Sequence, residues 1–220
     1  MICLVTDRRR LSTGLDATDR LVELVGAAAR AGIDLIQVRE RDLEGRELAA
    51  LVSRCLAAAD GSSTKVVVND RVDIAAATGA HGVHLRGDSV SVAAARLLLP
   101  QHAVVGRSVH TVDEAAAAAN GADYLIFGTL YPTVSKDGGH PTAALDDLRS
   151  ARRVASGVPI LAIGGITAQR ASEVACAGAA GIAGIGIFVP PPGVSVDRHL
   201  QSVVAQLRRS FDTCDAVPVH

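Results

Sequence analysis

Aromatic residues are nearly missing from this chain. Its 220 residues include no tryptophan, two tyrosines and three phenylalanines, 2% in all. The core must then be filled by Ala, Val, Leu and Ile. These pack closely between strands and helices but leave few flat platforms for stacked bases. An excess of one charge is lacking too. Twenty-two Lys and Arg face 23 Asp and Glu, a net charge of −1, so there is no basic field for a polyanion and nucleic acid is not an expected partner. No apolar run approaches the roughly twenty residues that a spanning helix needs. The first residues, ICLVT, show no basic region followed by a long apolar segment. The expectation is a soluble, cytoplasmic protein with no membrane partner. Metal-type cysteine pairs are also absent: Cys3, Cys55, Cys176 and Cys214 stand far apart. Cys3 and Cys176, in apolar contexts, are expected as buried thiols.

What is present is alternation. Apolar runs of strand length (ICLVTD, IDLIQV, KVVVN, GVHL, AVVG, the run from Asp123, PILAIGG, GIAGIGIF) are separated by stretches with helical periodicity. Leu21, Leu24, Val25, Ala28 and Ala29 mark the first helix, stopped at Gly32. Thr111 with Glu114 three residues on has the spacing of a capping box. The last helix is expected from about Val196 to Arg209. Strands apolar at nearly every position are those covered on both faces. Eight strand–helix units without a visible domain boundary predict a single (β/α)8 TIM barrel over residues 1–210, followed by a loose tail, 211–220. A doubly wound open sheet is the other architecture compatible with this pattern.

In a barrel the chemistry lies where strands end. The second strand ends in Gln37, Arg39 and Arg41, pointed to one side by alternation. The third ends in Asn69-Asp70, the fourth in His84 and then Arg86-Gly87-Asp88-Ser89, the fifth in Arg107-Ser108-Val109-His110. The sixth breaks at Gly128 into a loop with Thr133, Ser135 and Lys136; the seventh ends in Gly164-Gly165, and the eighth carries Gly184 and Gly186. Each has a plain alternative: Arg39–Glu40 as a surface ion pair, Asn69-Asp70 as a helix cap, His84 and His110 as structural histidines. Several cations and two glycine segments able to cradle an anion on one rim nevertheless point to phosphorylated small-molecule substrates.

The ordered set QVRER, VNDRVDIA, GVHL, GRSVH-x3-EA, FGTLYPTVSK and ILAIGGI resembles the thiamine phosphate synthase family, from Val5-Thr6-Asp7 to about Phe188. The resemblance implies a transferase of thiamine biosynthesis. Such an enzyme joins 4-amino-2-methylpyrimidine methyl diphosphate to thiazole phosphate and releases pyrophosphate with Mg2+. It implies that Gln37, Arg39 and Arg41 grip the diphosphate together with Asn69 and Lys136. Ser108 would lie beside the pyrimidine ring. Thr133, Ser135, Gly165, Ile185 and Gly186 would surround the thiazole phosphate. Lys136, Arg39 and Ser108 are the implied catalytic residues, Asp70 and Asp88 the implied metal ligands.

Three departures qualify that match. Ser89 stands where the family's second aspartate ligand is expected, and Asp88 reaches the metal only if the loop shifts by one residue. Arg41 replaces a lysine, and the last strand ends in IGIF without a hydroxyl. The RER ending, Ser89 and GRSVH also resemble the thiazole tautomerases of the same superfamily. Their proton-shuttling histidine is Thr129 here, which would leave His84, His110 or His140 for acid–base work. A barrel that binds a thiamine precursor without turnover is the third reading. A homo-oligomer is left open.

Overall fold

The computed structural model describes residues 1–215 apart from Thr13, residues 133–141 and Ser156. Among the described residues, strands β1 (Ile2–Val5), β2 (Leu35–Val38), β3 (Lys65–Asn69), β4 (Gly82–Leu85), β5 (Val104–Val109), β6 (Tyr124–Phe127), β7 (Ile160–Ile163) and β8 (Gly181–Gly184) pair in sequence order, all parallel. Residues 2–4 of β1 pair with residues 182–184 of β8, so the sheet closes. The helices α1 (Ala17–Arg30), α2 (Gly45–Ala58), α3 (Val72–Thr78), α4 (Val92–Leu98), α5 (Val112–Ala118), α6 (Leu145–Val154), α7 (Ala168–Cys176) and α8 (Val196–Asp215) follow their strands. The chain is a TIM barrel; the open-sheet alternative falls with the β1–β8 pairing.

Strand parity divides the apolar residues into two cores. Ile2, Leu4, Ile36, Val38, Val66 and Val68 face outward and meet the helices. Cys3, Val5, Leu35, Val67, Tyr124, Ile126, Leu161 and Ala183 fill the barrel interior. Burial of each large aliphatic contributes roughly 1.5–3 kcal/mol, so both faces favour the same register. The helices meet this sheet through the expected stripes: Leu21, Leu24, Val25 and Ala28 of α1 are all buried.

Element ends differ from expectation in instructive ways. β8 stops at Gly184, and Gly186–Phe188 forms a 3-10 turn, with Phe188 fully buried. The helix α8 continues to Asp215, so 211–215 are not a loose tail; Phe211 packs against the outer core and extends the amphipathic stripe. Residues 216–220 lie outside the described residues. Thr111 caps α5 by accepting from the Glu114 N–H at 3.1 Å. The Glu114 carboxylate, however, accepts from the His110 N–H at 2.6 Å, one residue ahead of the cap. Cys3 and Cys55 are buried free thiols, and burial pushes Cys55 up to about 12. Cys176 is a correction: it is exposed and disulfide-bonded.

Candidate active site

Inward positions change character along each strand. On β2 the inward series runs Leu35, Gln37 and then Arg39; on β3, Val67 then Asn69; on β5, Gly106 then Ser108. The lower layer of the barrel is apolar and its upper layer polar, which places the polar groups at the carboxyl ends of the strands. They line a cavity of about 860 Å³ with Asp7, Arg10, Arg86, Asp88, His110, Thr129, and the glycines 164, 165, 184 and 186. This volume lies within the usual range for small-ligand sites, about 300–1,000 Å³.

The cationic side of this cavity begins at β2. Glu40 does not pair with Arg39. It is buried and accepts from the Thr6 hydroxyl at 2.7 Å and from Arg8 Nη1 at 3.0 Å. Among the described residues no carboxylate forms a salt bridge with Arg39 or Arg41. Burial first, and then the neighbouring Arg41, push the Arg39 guanidinium below its usual pKa. An arginine nonetheless remains charged at neutral pH, so Arg39 keeps its positive charge in the cavity. Gln37 Nε2 donates to Asn69 Oδ1 at 2.8 Å, which orients both buried amides beneath the arginines. Arg107, by contrast, is used structurally: its guanidinium donates to the carbonyls of Gly87 and Val90 at 2.8 Å each and shapes the loop after β4.

That loop carries the implied metal ligands. Asp70 does not cap α3, whose cap residue is Arg71 with no side-chain hydrogen bond. Asp70 has φ 65, the only described non-glycine residue with positive φ. Its carboxylate accepts from the Ser89 hydroxyl, and Arg86 Nη1 lies 3.6 Å from its other oxygen. Arg86 Nη2 donates to Asp88. One guanidinium therefore holds both implied metal ligands. Asp70 borders a smaller adjoining hollow, which shares Arg41, Asn69 and Arg86 with the main cavity. Among the described residues no cluster of three or more His, Cys, Asp and Glu could hold a metal. Mg2+ is satisfied by one or two carboxylates when substrate phosphates and water complete its shell. Asp70 and Asp88 fit that requirement, with Arg86 competing for the same oxygens.

Opposite lies a side built from backbone. Gly164 and Gly165 have φ 101 and 57. A Cβ on Gly165 would fall 2.5 Å from the Pro132 carbonyl and 2.8 Å from Tyr131 Cβ. Only glycine permits this turn. Arg170 Nη1 donates to the Gly165 carbonyl at 2.8 Å, while its guanidinium stacks 4.4 Å over the Tyr131 ring. Tyr131 in turn donates to Glu173 at 2.7 Å. The turn is held from behind, and Thr167 caps α7 just beyond it. Small residues at such a helix start let N–H groups approach a phosphate.

A family model described as thiamine monophosphate synthase matches residues 2–188. The chain belongs to the thiamine monophosphate synthase family. A thiamine-phosphate synthase of Chlorobium luteolum is 39% identical over 184 residues, 83% of this chain and 82% of that protein. One of Haloquadratum walsbyi is 41% identical over 204 residues, 91% of this chain and 89% of that protein. The solved thiamine phosphate pyrophosphorylase of Pyrococcus furiosus superposes with a TM-score of 0.78 at 27% identity, covering 97% of this chain and 96% of that one. Within this family barrel, Gln37, Arg39, Arg41, Asn69, Asp88, Ser108, Gly165, Ile185 and Gly186 share the main cavity, and Asp70 sits beside it. Thr133, Ser135, Lys136 and His140 lie outside the described residues. Missed by sequence reasoning were Asp7 and Arg10, whose position after β1 is the same strand-end signal used for the other strands. Tyr124 was missed as well; nothing in its apolar run marks it as bonding to His84.

Proposed function

We propose that this barrel joins 4-amino-2-methylpyrimidine methyl diphosphate to thiazole phosphate and releases pyrophosphate. One observation carries the reading. Two arginines without carboxylate partners among the described residues and a backbone-lined double-glycine turn share one cavity, so both a diphosphate and a second phosphate find a counterpart. The bond between the pyrimidine methylene and the diphosphate oxygen breaks, and its electron pair leaves with pyrophosphate. The methylene cation, stabilised by the ring, is attacked by the thiazole nitrogen lone pair.

Arg39 and Arg41 sit where negative charge grows on the leaving group, and fixed charges there lower the barrier most. Asn69 and Gln37 orient the diphosphate below them. Ser108 faces the pyrimidine ring, while Gly165 and Gly186 receive the thiazole phosphate. The resemblance assigns Thr133 and Ser135 to that phosphate and Lys136 to the pyrophosphate. Mg2+, held by Asp70 and Asp88, would add charge neutralisation to the departing pyrophosphate. The apolar barrel floor keeps water from the cation.

Incubating the purified protein with both precursors, with and without Mg2+, tests this directly. Release of pyrophosphate only when both precursors are present is the expected result. Isomerisation of thiazole carboxylate phosphate without metal would select the tautomerase reading. Saturable thiazole phosphate binding with neither reaction would make the barrel a binding module.

A further inference from the structure

Three polar side chains form a chain through the barrel interior, from its floor to the cavity wall. Tyr124, on β6, is 1% exposed. Its ring fits because the residue opposite in register is Gly106; a Cβ there would lie 2.0 Å from Tyr124 Cζ. The Tyr124 hydroxyl lies 3.0 Å from His84 Nδ1, with the two rings 5.5 Å apart. His84 Nε2 lies 2.8 Å from Ser108 Oγ, and Ser108 lines the cavity.

The direction of these bonds follows from counting protons. His84 is buried, and its two ring nitrogens meet the hydroxyls of Tyr124 and Ser108, so the imidazole is neutral and carries one N–H. The Tyr124 hydroxyl is fully buried, and its hydrogen-bond partner among the described residues is His84. Its proton therefore goes to Nδ1, because the reverse arrangement leaves a buried O–H with no acceptor, disfavoured by about tenfold or more. With Nδ1 accepting, the single ring proton is on Nε2 and is donated to Ser108 Oγ. The proton of Ser108 then cannot return to His84 and is left for whatever occupies the cavity.

We propose that Tyr124, acting through His84, fixes Ser108 as a hydrogen-bond donor to the ligand ring, so that the site selects a heteroaromatic ring presenting an unprotonated acceptor atom at that edge. This rests on the reading above that Ser108 faces the pyrimidine. Tyr124 and His84 are positioning residues; of the three, Ser108 is the one that offers its proton to the ligand ring. A ring with N–H or C–H at that edge would meet the Ser108 proton head-on and leave it unpaired.

The tautomer is observable without any substrate. Long-range proton–nitrogen correlation spectra of the nitrogen-15-labelled protein, with His84 assigned through a His84→Gln variant, should show Nε2 protonated and Nδ1 bare. A dominant Nδ1–H form would overturn the proposal. Tyr124→Phe keeps the ring and removes only the donor, so it should populate both tautomers. The ligand arm measures binding of the pyrimidine methyl diphosphate against analogues with each ring nitrogen in turn replaced by C–H. Wild type should reject one analogue by about tenfold or more, and Tyr124→Phe should lose most of that discrimination. Equal binding of every ring by wild type would overturn the selection. Failure of any ring to bind would strike the synthase reading and, with it, the selection, while the tautomer result stands apart.

Discussion

On the proposed reading, the two halves of the cavity would meet their anions by different physics. Around β2 to β4 the work would fall to side chains: Arg39 and Arg41, with no carboxylate partner among the described residues, and Arg86 bridging Asp70 and Asp88. Around β7 and β8 it falls to backbone, in turns where a Cβ on Gly165 would strike Pro132 and Tyr131. A leaving pyrophosphate gains charge during the reaction, so strong, full charges matter there. A phosphate that only anchors its substrate keeps its charge, and neutral N–H groups suffice for it. The difference separates transition-state stabilisation from uniform binding.

That separation can be broken first at Arg39. Arg39→Ala should lower kcat by about 10²–10³-fold, with a much smaller change in KM for thiazole phosphate, because on the proposed reading the lost charge faces the leaving group. Steady-state kinetics with each substrate varied in turn would check it. A loss confined to KM would mean that the cationic side merely holds substrate. Gly165→Ala should do the opposite. It should raise KM for thiazole phosphate by about tenfold or more, since both the positive φ and the contact with Pro132 oppose the side chain. Equal losses in kcat would dissolve the contrast between the two sides.

Protonation sharpens the comparison from beneath. His84 has its pKa lowered from 6.5 to about 3 by burial, so between those values the unfolded chain binds a proton that the native state refuses. The stability linked to neutral His84 is present in full above pH 6.5 and falls as pH drops toward about 3, with a limiting slope of about 1.4 kcal/mol per pH unit. His81, also lowered by burial, acts in the same direction. Denaturant unfolding across this range should show the decline, and a His84→Gln variant should flatten it. The smallest expected effect is at Arg86. Arg86→Ala frees Asp70 and Asp88 and should lower the Mg2+ concentration for half-maximal activity by a few-fold, because exposed ion pairs are worth about 0–1 kcal/mol. An unchanged Mg2+ titration would show that Arg86 does not compete.

The strand-end rule found Gln37, Arg39, Asn69 and Ser108 because inward parity on a strand is a period-two property that sequence displays directly. Glu40 shows where it ran out. As a neighbour of Arg39 it looked like an ion-pair partner, yet adjacent strand residues point to opposite faces. The true partners, Thr6 and Arg8, come from the preceding strand end. Asp70 was legible as a ligand candidate, but its left-handed backbone and its link to Ser89 were not. The extension of α8 past Arg209 was hidden because the gain comes from Phe211 meeting the outer core.

By itself the sequence determined the order of strands and helices, the burial of both sheet faces and the residue types brought to the rim, because hydrophobic period and local turn chemistry act over a few neighbouring residues. Only the tertiary structure decided that the sheet closes, that Gly106 makes room for Tyr124, and that Arg86 stands between two carboxylates. Those outcomes join residues distant along the chain, and their energies exist only once the strands have been brought side by side.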